Sequence, residues 1–410
     1  MSATANPQVT VRGIVALYAS SLLSGSWTML IPTIPVLAKH FGISAGAAAQ
    51  IVTAMAVGRF CGTPISGVLL DRMGGRAAML GGAALASAAA LAGVFAPWLS
   101  VILILAFVMG MGDSVWALGR EVAGVDLARE NQRGRVLSTL HGTHNAGTAL
   151  CPYIGGLLTE AFGFWSAFAG YGILTGISVL MGWLVPEVKS SHAVHWPAAE
   201  KPRGAVGLRQ RLRGFRELFY QIHPDLRSTY VALVVATLAS HSYRITMQSM
   251  LPLYAGTVLD FSPSRIGLLF TISGAFVFVM IIPSGYLMDK VGRKWATVPS
   301  TGLPALAFLL IPFTDSFAQL AALVALTGVC NGLSLGSMSV STFDVVPASA
   351  RGRLQAARRT IAEMGGALAP ALGGFLANMF NPGVPFLVYV PILIAAACFL
   401  GFVGKETRPG

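Results

Sequence analysis

GVLLDRMGGR, residues 67–76, closes a long apolar run, and GYLMDKVGRK, residues 285–294, repeats its layout. Gly67, Asp71 and Gly74 recur as Gly285, Asp289 and Gly292, each 218 residues later. The same offset aligns RGRVLSTLHGTHNAGTALCPYIGGLLTE, from residue 133, with RGRLQAARRTIAEMGGALAPALGGFLAN, from residue 351, without a gap. It brings Pro152 onto Pro370, Gly155 and Gly156 onto Gly373 and Gly374, and Asp126 onto Asp344. One offset shared by separate segments predicts a duplicated unit. Two such units side by side place a binding site near the membrane midplane, where they meet.

The composition says what the unit is made of. Of the 410 residues 54% are hydrophobic and 11% charged, against about 25% charged in a soluble domain. Apolar runs of about 20 residues, the length that crosses a bilayer as helix, recur throughout. They lie near 12–37, 46–69, 77–95, 99–124, 136–158, 164–185, 229–257, 263–287, 295–312, 316–343, 354–379 and 385–404. The expected fold is an all-α membrane protein with twelve transmembrane helices in two pseudo-symmetric six-helix bundles. The N-terminal bundle is residues 1–185 and the C-terminal bundle 229–410, with a linker at 186–228 between them.

A net charge of +12 raises the question of nucleic acid, and the placement of the charge argues against it. With the N-terminus in the cytoplasm, 23 of the 28 Lys and Arg fall on that side and only Lys39 and Arg265 on the other. That asymmetry is the positive-inside rule, and it predicts both termini in the cytoplasm. No cleavable signal is evident at the N-terminus. The four cysteines, Cys61, Cys151, Cys330 and Cys398, lie within predicted spans without metal-ligand spacing, so neither a metal site nor disulfides are expected. In the linker, GLRQRLRGFRELFYQI puts Leu208, Leu212, Phe215, Phe219 and Ile222 on one helical stripe. That stripe suits a basic amphipathic helix on an anionic leaflet, or equally a linker helix packed on the loops.

The two loops resemble the cytoplasmic signature loops of the major facilitator superfamily, between spans two and three and between spans eight and nine. Twelve spans, duplicated halves and a long central loop extend the resemblance over nearly the whole chain. It implies a conformational latch in which the loop aspartate meets the start of span eleven and the loop arginine meets an acid ending span four. The matching positions are Gly67, Asp71, Arg72 and Arg76 with Asp126, and in the second half Asp289, Arg293 or Lys294 with Asp344. The alternative is that these charges only anchor helix ends at the interface.

Span five reads GTALCPYIGG. Its Gly147, Pro152, Gly155 and Gly156 resemble the glycine–proline signature of the superfamily's antiporters, with Cys151 where a glycine is usual. Pro32 and Pro35 in LIPTIPVLA resemble a motif of the twelve-span drug:proton antiporters. The resemblance therefore implies export.

Charges at membrane depth are costly unless paired or facing water, so each is a functional candidate. Asp113 precedes Asp126 by 13 residues and Arg59 precedes Asp71 by 12, which sets both roughly 18–20 Å from the loop face. Asp113 is the first proton-coupling candidate, because a carboxylate among apolar neighbours can bind and release protons near neutrality. A fixed structural Asp113–Arg59 pair is the alternative. Glu363, His141 and His144 are further proton-coupling candidates, with an ordinary polar helix contact as the alternative for the histidines. Trp27, Met29, Arg59, Trp116, Arg120, Asn145, Tyr243, Arg244, Met247 and Asn331 are candidates to line the substrate cavity, with Met250 beside them.

The expected activity is proton-coupled secondary transport by alternating access, exporting a small amphipathic compound or drug. The alternative is import or exchange of an organic anion or metabolite, with Arg59, Arg120 and Arg244 supplying positive charge. No HExxH, Walker loop or nucleophile elbow appears, so no enzyme and no cofactor are expected beyond the proton gradient as driving force. The expected partners are a small-molecule substrate, protons and the bilayer of the plasma (inner) membrane, around a monomeric chain.

Overall fold

The computed structural model describes residues 11–128, 132–187, 217–347 and 350–406. Among these residues all regular structure is helical. The first span is made of α1 (Val11–Leu23), a 3₁₀ stretch (Ser24–Thr33) and α2 (Ile34–Phe41). The tightening has a local cause. Ser24, Ser26, Thr28 and Thr33 each donate a hydroxyl hydrogen bond to the carbonyl three residues back, and Pro32 has no N–H to offer. All ten residues of the stretch are buried.

α3 (Ala45–Gly93) starts on Ser44, whose hydroxyl accepts the Ala47 N–H at 3.2 Å. It is two spans joined at Gly74, where φ is +80°. α4 (Leu99–Leu127), α5 (Arg133–Phe162) and α6 (Phe164–Gly182) follow, with the single residue Gly163 turning α5 into α6. Then come α7 (Pro224–Thr257), α8 (Pro263–Val279) and α9 (Ile281–Tyr286), the last running into one π-helical turn (Leu287–Val291). α10 (Arg293–Gly302) and α11 (Pro304–Leu310) form the next span, and α12 (Phe317–Ser334) with α13 (Ser337–Val345) the one after. α14 (Arg351–Met379) and α15 (Val384–Val403) complete the chain.

Nine of the described helical segments are long and apolar enough to cross a membrane, or ten if the bent pair Pro263–Val279 and Ile281–Val291 is one span. Two long helices fall short, α5 with 30 residues and α7 with 34. Length and composition thus reach ten where the sequence predicts twelve. The shortfall has a reason: α5 carries Arg135, His141, His144 and Asn145, and α7 carries Arg227, His241 and Arg244. Polar side chains inside spans mark working surfaces.

The chain divides into two units, Met1–Ala193 with Ala255–Gly274, and Val194–Tyr254 with Ala275–Gly410. In the first, Trp27, Met29, Met55, Met109, Phe168 and Tyr171 form one buried cluster, and Leu17, Met79, Trp116 and Leu140 another. In the second, Tyr243, Phe308, Phe386 and Tyr389 interlock edge to face with centroids 5.2–6.1 Å apart. A further cluster gathers Ile222, Tyr230, Val345, Leu354 and Leu400, with Phe219 packed on it. Phe219 and Ile222 of the linker stripe therefore cover the bundle's own core. Leu208, Leu212 and Phe215 lie outside the described residues.

Candidate functional site

α3 and α4 bring the first pair together. A Cβ on Gly110 would collide with the Met55 carbonyl, and one on Gly58 with that of Phe107. Only glycine at these crossings lets the two backbones touch. One residue beyond Gly58, Arg59 reaches across with Nε 2.8 Å from Asp113 Oδ2, the side chains being 25% and 13% exposed. The approach is short but off-axis. Nε and Nη2 of Arg59 have no hydrogen-bond acceptor among the described residues. The guanidinium also lies over the Trp27 ring, 4.1 Å from its centroid, a cation–π contact. Arg59 thus holds the acid directly while its remaining face rests on an aromatic ring, and Arg120 is a second cation within electrostatic reach of Asp113.

Around this pair the other first-unit candidates gather: Arg120 lies within electrostatic reach of Asp113 and Glu121, and His144 within reach of Arg120, Arg59 and His141. His144 shares a 2.7 Å hydrogen bond with Ser24 of the 3₁₀ stretch. His141 is more exposed, with Nε2 4.0 Å from Glu121. Arg120 is buried against Trp116, 5.7 Å from its ring, and its Nε and Nη1 have no acceptor among the described residues. Trp116, expected at the cavity wall, is instead wholly buried, and its indole N–H donates to Ser20, which in turn bonds Ser178. Met29 is likewise in the core, under Gly155. Buried Tyr171, whose hydroxyl has no partner among the described residues, was not read from the sequence.

In the second unit Tyr243 donates to Asn331 Oδ1 at 2.6 Å, joining two cavity candidates from α7 and α12. Tyr243, Met247 and Met250 are buried. Arg244 is half-buried, with Nε on the Ser240 carbonyl at 3.2 Å. Arg358 turns inward to Thr237 at 2.6 Å and Ser339 at 3.1 Å. Glu363 meets His241 at 3.5 Å and Arg359 at 3.9 Å. The sequence reading did not name His241. Its 122-residue separation from Glu363 offers no local signal, although a histidine inside a span is itself one.

The repeated loops form matching clamps, one in each unit. Arg293 holds Asp289 and Asp344, both at 3.1 Å. Arg76 donates to the Trp183 carbonyl at 3.0 Å and faces Glu187 at 3.9 Å. At the same offset, Lys294 donates to the Gly401 carbonyl at 2.6 Å. A cation on the last carbonyls of a helix complements its dipole. Beyond Gly401, Glu406 accepts the backbone N–H groups of Arg293 at 2.8 Å and Lys294 at 3.2 Å, capping α10. Arg72 is exposed, and the side chain of Asp71 lies outside the described residues.

The span-five motif packs on the start of α8. A Cβ on Gly156 would strike the Pro263 carbonyl, and one on Gly267 the Pro152 carbonyl. Gly147 makes a similar approach to the Leu22 carbonyl. At this end Glu160, two residues past the predicted span, accepts the Ser264 N–H at 3.3 Å. Hydrogen bonding from Ser264 holds its carboxyl below the usual carboxylate range, although the group is almost fully solvated. Lys39 and Asp260, 3.7 Å apart and well exposed, add little. Among the described residues no group of three or more His, Cys, Asp or Glu converges as a metal site.

Comparison with known proteins fits these clamps and glycine crossings into a family. A model described as the Major Facilitator Superfamily matches residues 16–262 and 232–410. The multi-drug resistance efflux pump PmrA of Streptococcus pneumoniae serotype 4 is 23% identical over 406 residues, covering 96% of each chain. The multidrug resistance protein MdtH of Klebsiella pneumoniae (strain 342) is 24% identical, over 78% of this chain and 76% of the relative. Among solved structures, a D-xylose-proton symporter superposes with a TM-score of 0.74 at 16% identity, covering 96% of this chain and 98% of the other. A peptide transporter in complex with sulfate gives 0.77 at 13%, covering 97% and 96%. These likenesses establish the fold, and the family match makes the chain a transporter and not an enzyme. The chain belongs to the major facilitator superfamily, as a multi-pass membrane protein.

Proposed function

We propose that the chain exports a small amphipathic organic compound in exchange for protons, by alternating access between bundles 1–185 and 229–410 joined by 186–228. The Arg59–Asp113 contact carries this reading. An acid at membrane depth, held directly by Arg59 through one off-axis approach, changes its hold when it takes a proton. Protonation of Asp113 removes the charge that anchors Arg59, so proton uptake and substrate release become one event. Export is supported by the efflux pumps among the relatives and by Gly147, Pro152, Gly155 and Gly156 at the crossing with α8. The excess of basic residues on the loop face supports a reading with both termini in the cytoplasm of a plasma (inner) membrane, with the protein working as a monomer.

Inverted vesicles with an imposed pH gradient test the reading, using ethidium as an amphipathic probe. The wild type is expected to move the probe against its gradient while protons run down theirs. Asp113→Asn is expected to abolish the dependence on the pH gradient while the protein still inserts. An unchanged pH dependence in that variant moves the proton role to Glu363 or the histidines.

A second reading is favoured by the unsatisfied donors of Arg59 and Arg120. Arg59 Nη2 and Arg120 Nε and Nη1, buried without acceptors among the described residues, suit an organic anion, taken up or exchanged. Uptake of a carboxylate-bearing probe with protons, and no extrusion of ethidium, would select it.

A further inference from the structure

Each half carries an acid within a span, and the two are not copies of each other. At the 218-residue offset Asp113 corresponds to Asn331, and Glu363 to Asn145. Where one half has a carboxylate, the other has the neutral amide. Features of the shared scaffold keep their chemistry in both halves, as the cation does at 76 and 294. A desolvated acid kept in one half alone needs another reason.

Glu363 sits in a built niche. His241 Nε2 lies 3.5 Å from Glu363 Oε2, their side chains 24% and 33% exposed, so both are partly shielded. Gly366, one turn past Glu363, makes the room: a Cβ there would stand 2.7 Å from the imidazole Nε2. Arg359 approaches the other carboxylate oxygen at 3.9 Å. On the same two helices, Arg244 lies on the Ser240 carbonyl and Arg358 is turned to Thr237, Ser339 and Gln355. Glu363 is the acid in this basic group.

We propose that His241 and Glu363 form a second proton-carrying site, on α7 and α14. A proton from water adds to the Nε2 lone pair of the neutral imidazole, giving an imidazolium held against the carboxylate. Its loss to water restores the neutral ring and leaves the carboxylate to Arg359. Histidine ordinarily changes charge between about pH 5 and 8. Each proton thus switches the attraction between the two helices that carry the pair. The inference rests on the reading above that transport is proton-linked.

Two measurements on the full chain test it. In the first, ¹⁵N-imidazole resonances of the detergent-solubilised protein are followed against pH, His241→Gln identifying the signal that disappears among the 7 histidines. The His241 signal is expected to titrate, and its midpoint to move in Glu363→Gln. A His241 ring that holds one protonation state across this range, or is indifferent to Glu363→Gln, overturns the proposal. If His241→Gln does not fold, the resonance moved by Glu363→Gln supplies the assignment, and no moved resonance counts against it.

In the second, ethidium extrusion from inverted vesicles is measured against pH. His241→Gln and Glu363→Gln are expected to flatten the profile, and the double variant to add nothing further, while probe binding at one fixed pH stays within about twofold. A wild-type profile in folded His241→Gln overturns the proposal. Extrusion that ignores the pH gradient in the wild type itself overturns the broader reading instead, and the resonance titration then decides this one.

Discussion

Arg59 and Asp113 are 25% and 13% exposed, so water screens their attraction only in part. Removing one member of a buried pair leaves an uncompensated charge and costs about 3–5 kcal/mol, whereas replacing both can be close to neutral. Arg59→Met is therefore expected to lower the melting temperature in detergent, and Arg59→Met with Asp113→Asn to recover most of the loss. Equal losses for the single and double variants would mean that the pair is not coupled. Spacing made this pair legible, because 12 and 13 residues back from the loop acids set both side chains at one depth. Trp116 was not legible. An indole can wet a cavity or fill a core, and here Ser20 and Ser178 complete a buried hydrogen-bond chain that holds it in the core.

Among elements, the crossing of α5 with the start of α8 is the most sensitive to size. Gly156 faces the Pro263 carbonyl with no space for a side chain, and overpacking of this kind costs typically about 1–3 kcal/mol. Gly156→Leu is expected to push the two helices apart and slow transport by about tenfold or more, since about 1.4 kcal/mol is a factor of ten in a population. Full activity would discard the crossing as a working contact. The clamp of the second unit offers a milder lesion. A charge-assisted hydrogen bond contributes about 1.5–3 kcal/mol, and Arg293 is only 13% exposed beside Asp344. Asp344→Asn is expected to lower the melting temperature by a few degrees and to reduce transport, and an unchanged rate would make the clamp a mere anchor. The repeated loops announce themselves in sequence, but half of what they bind does not. The partners of Arg76 and Lys294 are the carbonyls of Trp183 and Gly401, and a backbone acceptor has no residue type to read.

For the whole molecule, the orientation is testable without a substrate. The bias of 23 basic residues in 28 predicts that a fluorescent protein fused after residue 410 folds and glows. Alkaline phosphatase inserted near Lys39 and His40 should be active. The reverse pattern would invert the topology and, with it, the direction of transport. Duplication was the clearest large-scale feature in the chain, since one offset joined the loops, the acids 126 and 344 and the span-five segments. The count of spans was less clear, because α5 and α7 dilute their apolar content with the charged and histidine side chains of the candidate sites.

The amino-acid sequence by itself determined that the chain is helical and membrane-spanning and that it is built twice. Apolar length and a common offset are one-dimensional properties, and no packing is needed to read them. Only the tertiary structure decided which faces of those helices meet. In lipid, the surface toward the bilayer is as apolar as the surface toward the core, so the periodicity that marks a buried face in water carries little information here. That is why His241 and Glu363, on helices far apart in sequence, came together unannounced, and why nothing in the sequence signalled that Trp116, Met29 and Tyr243 would be buried.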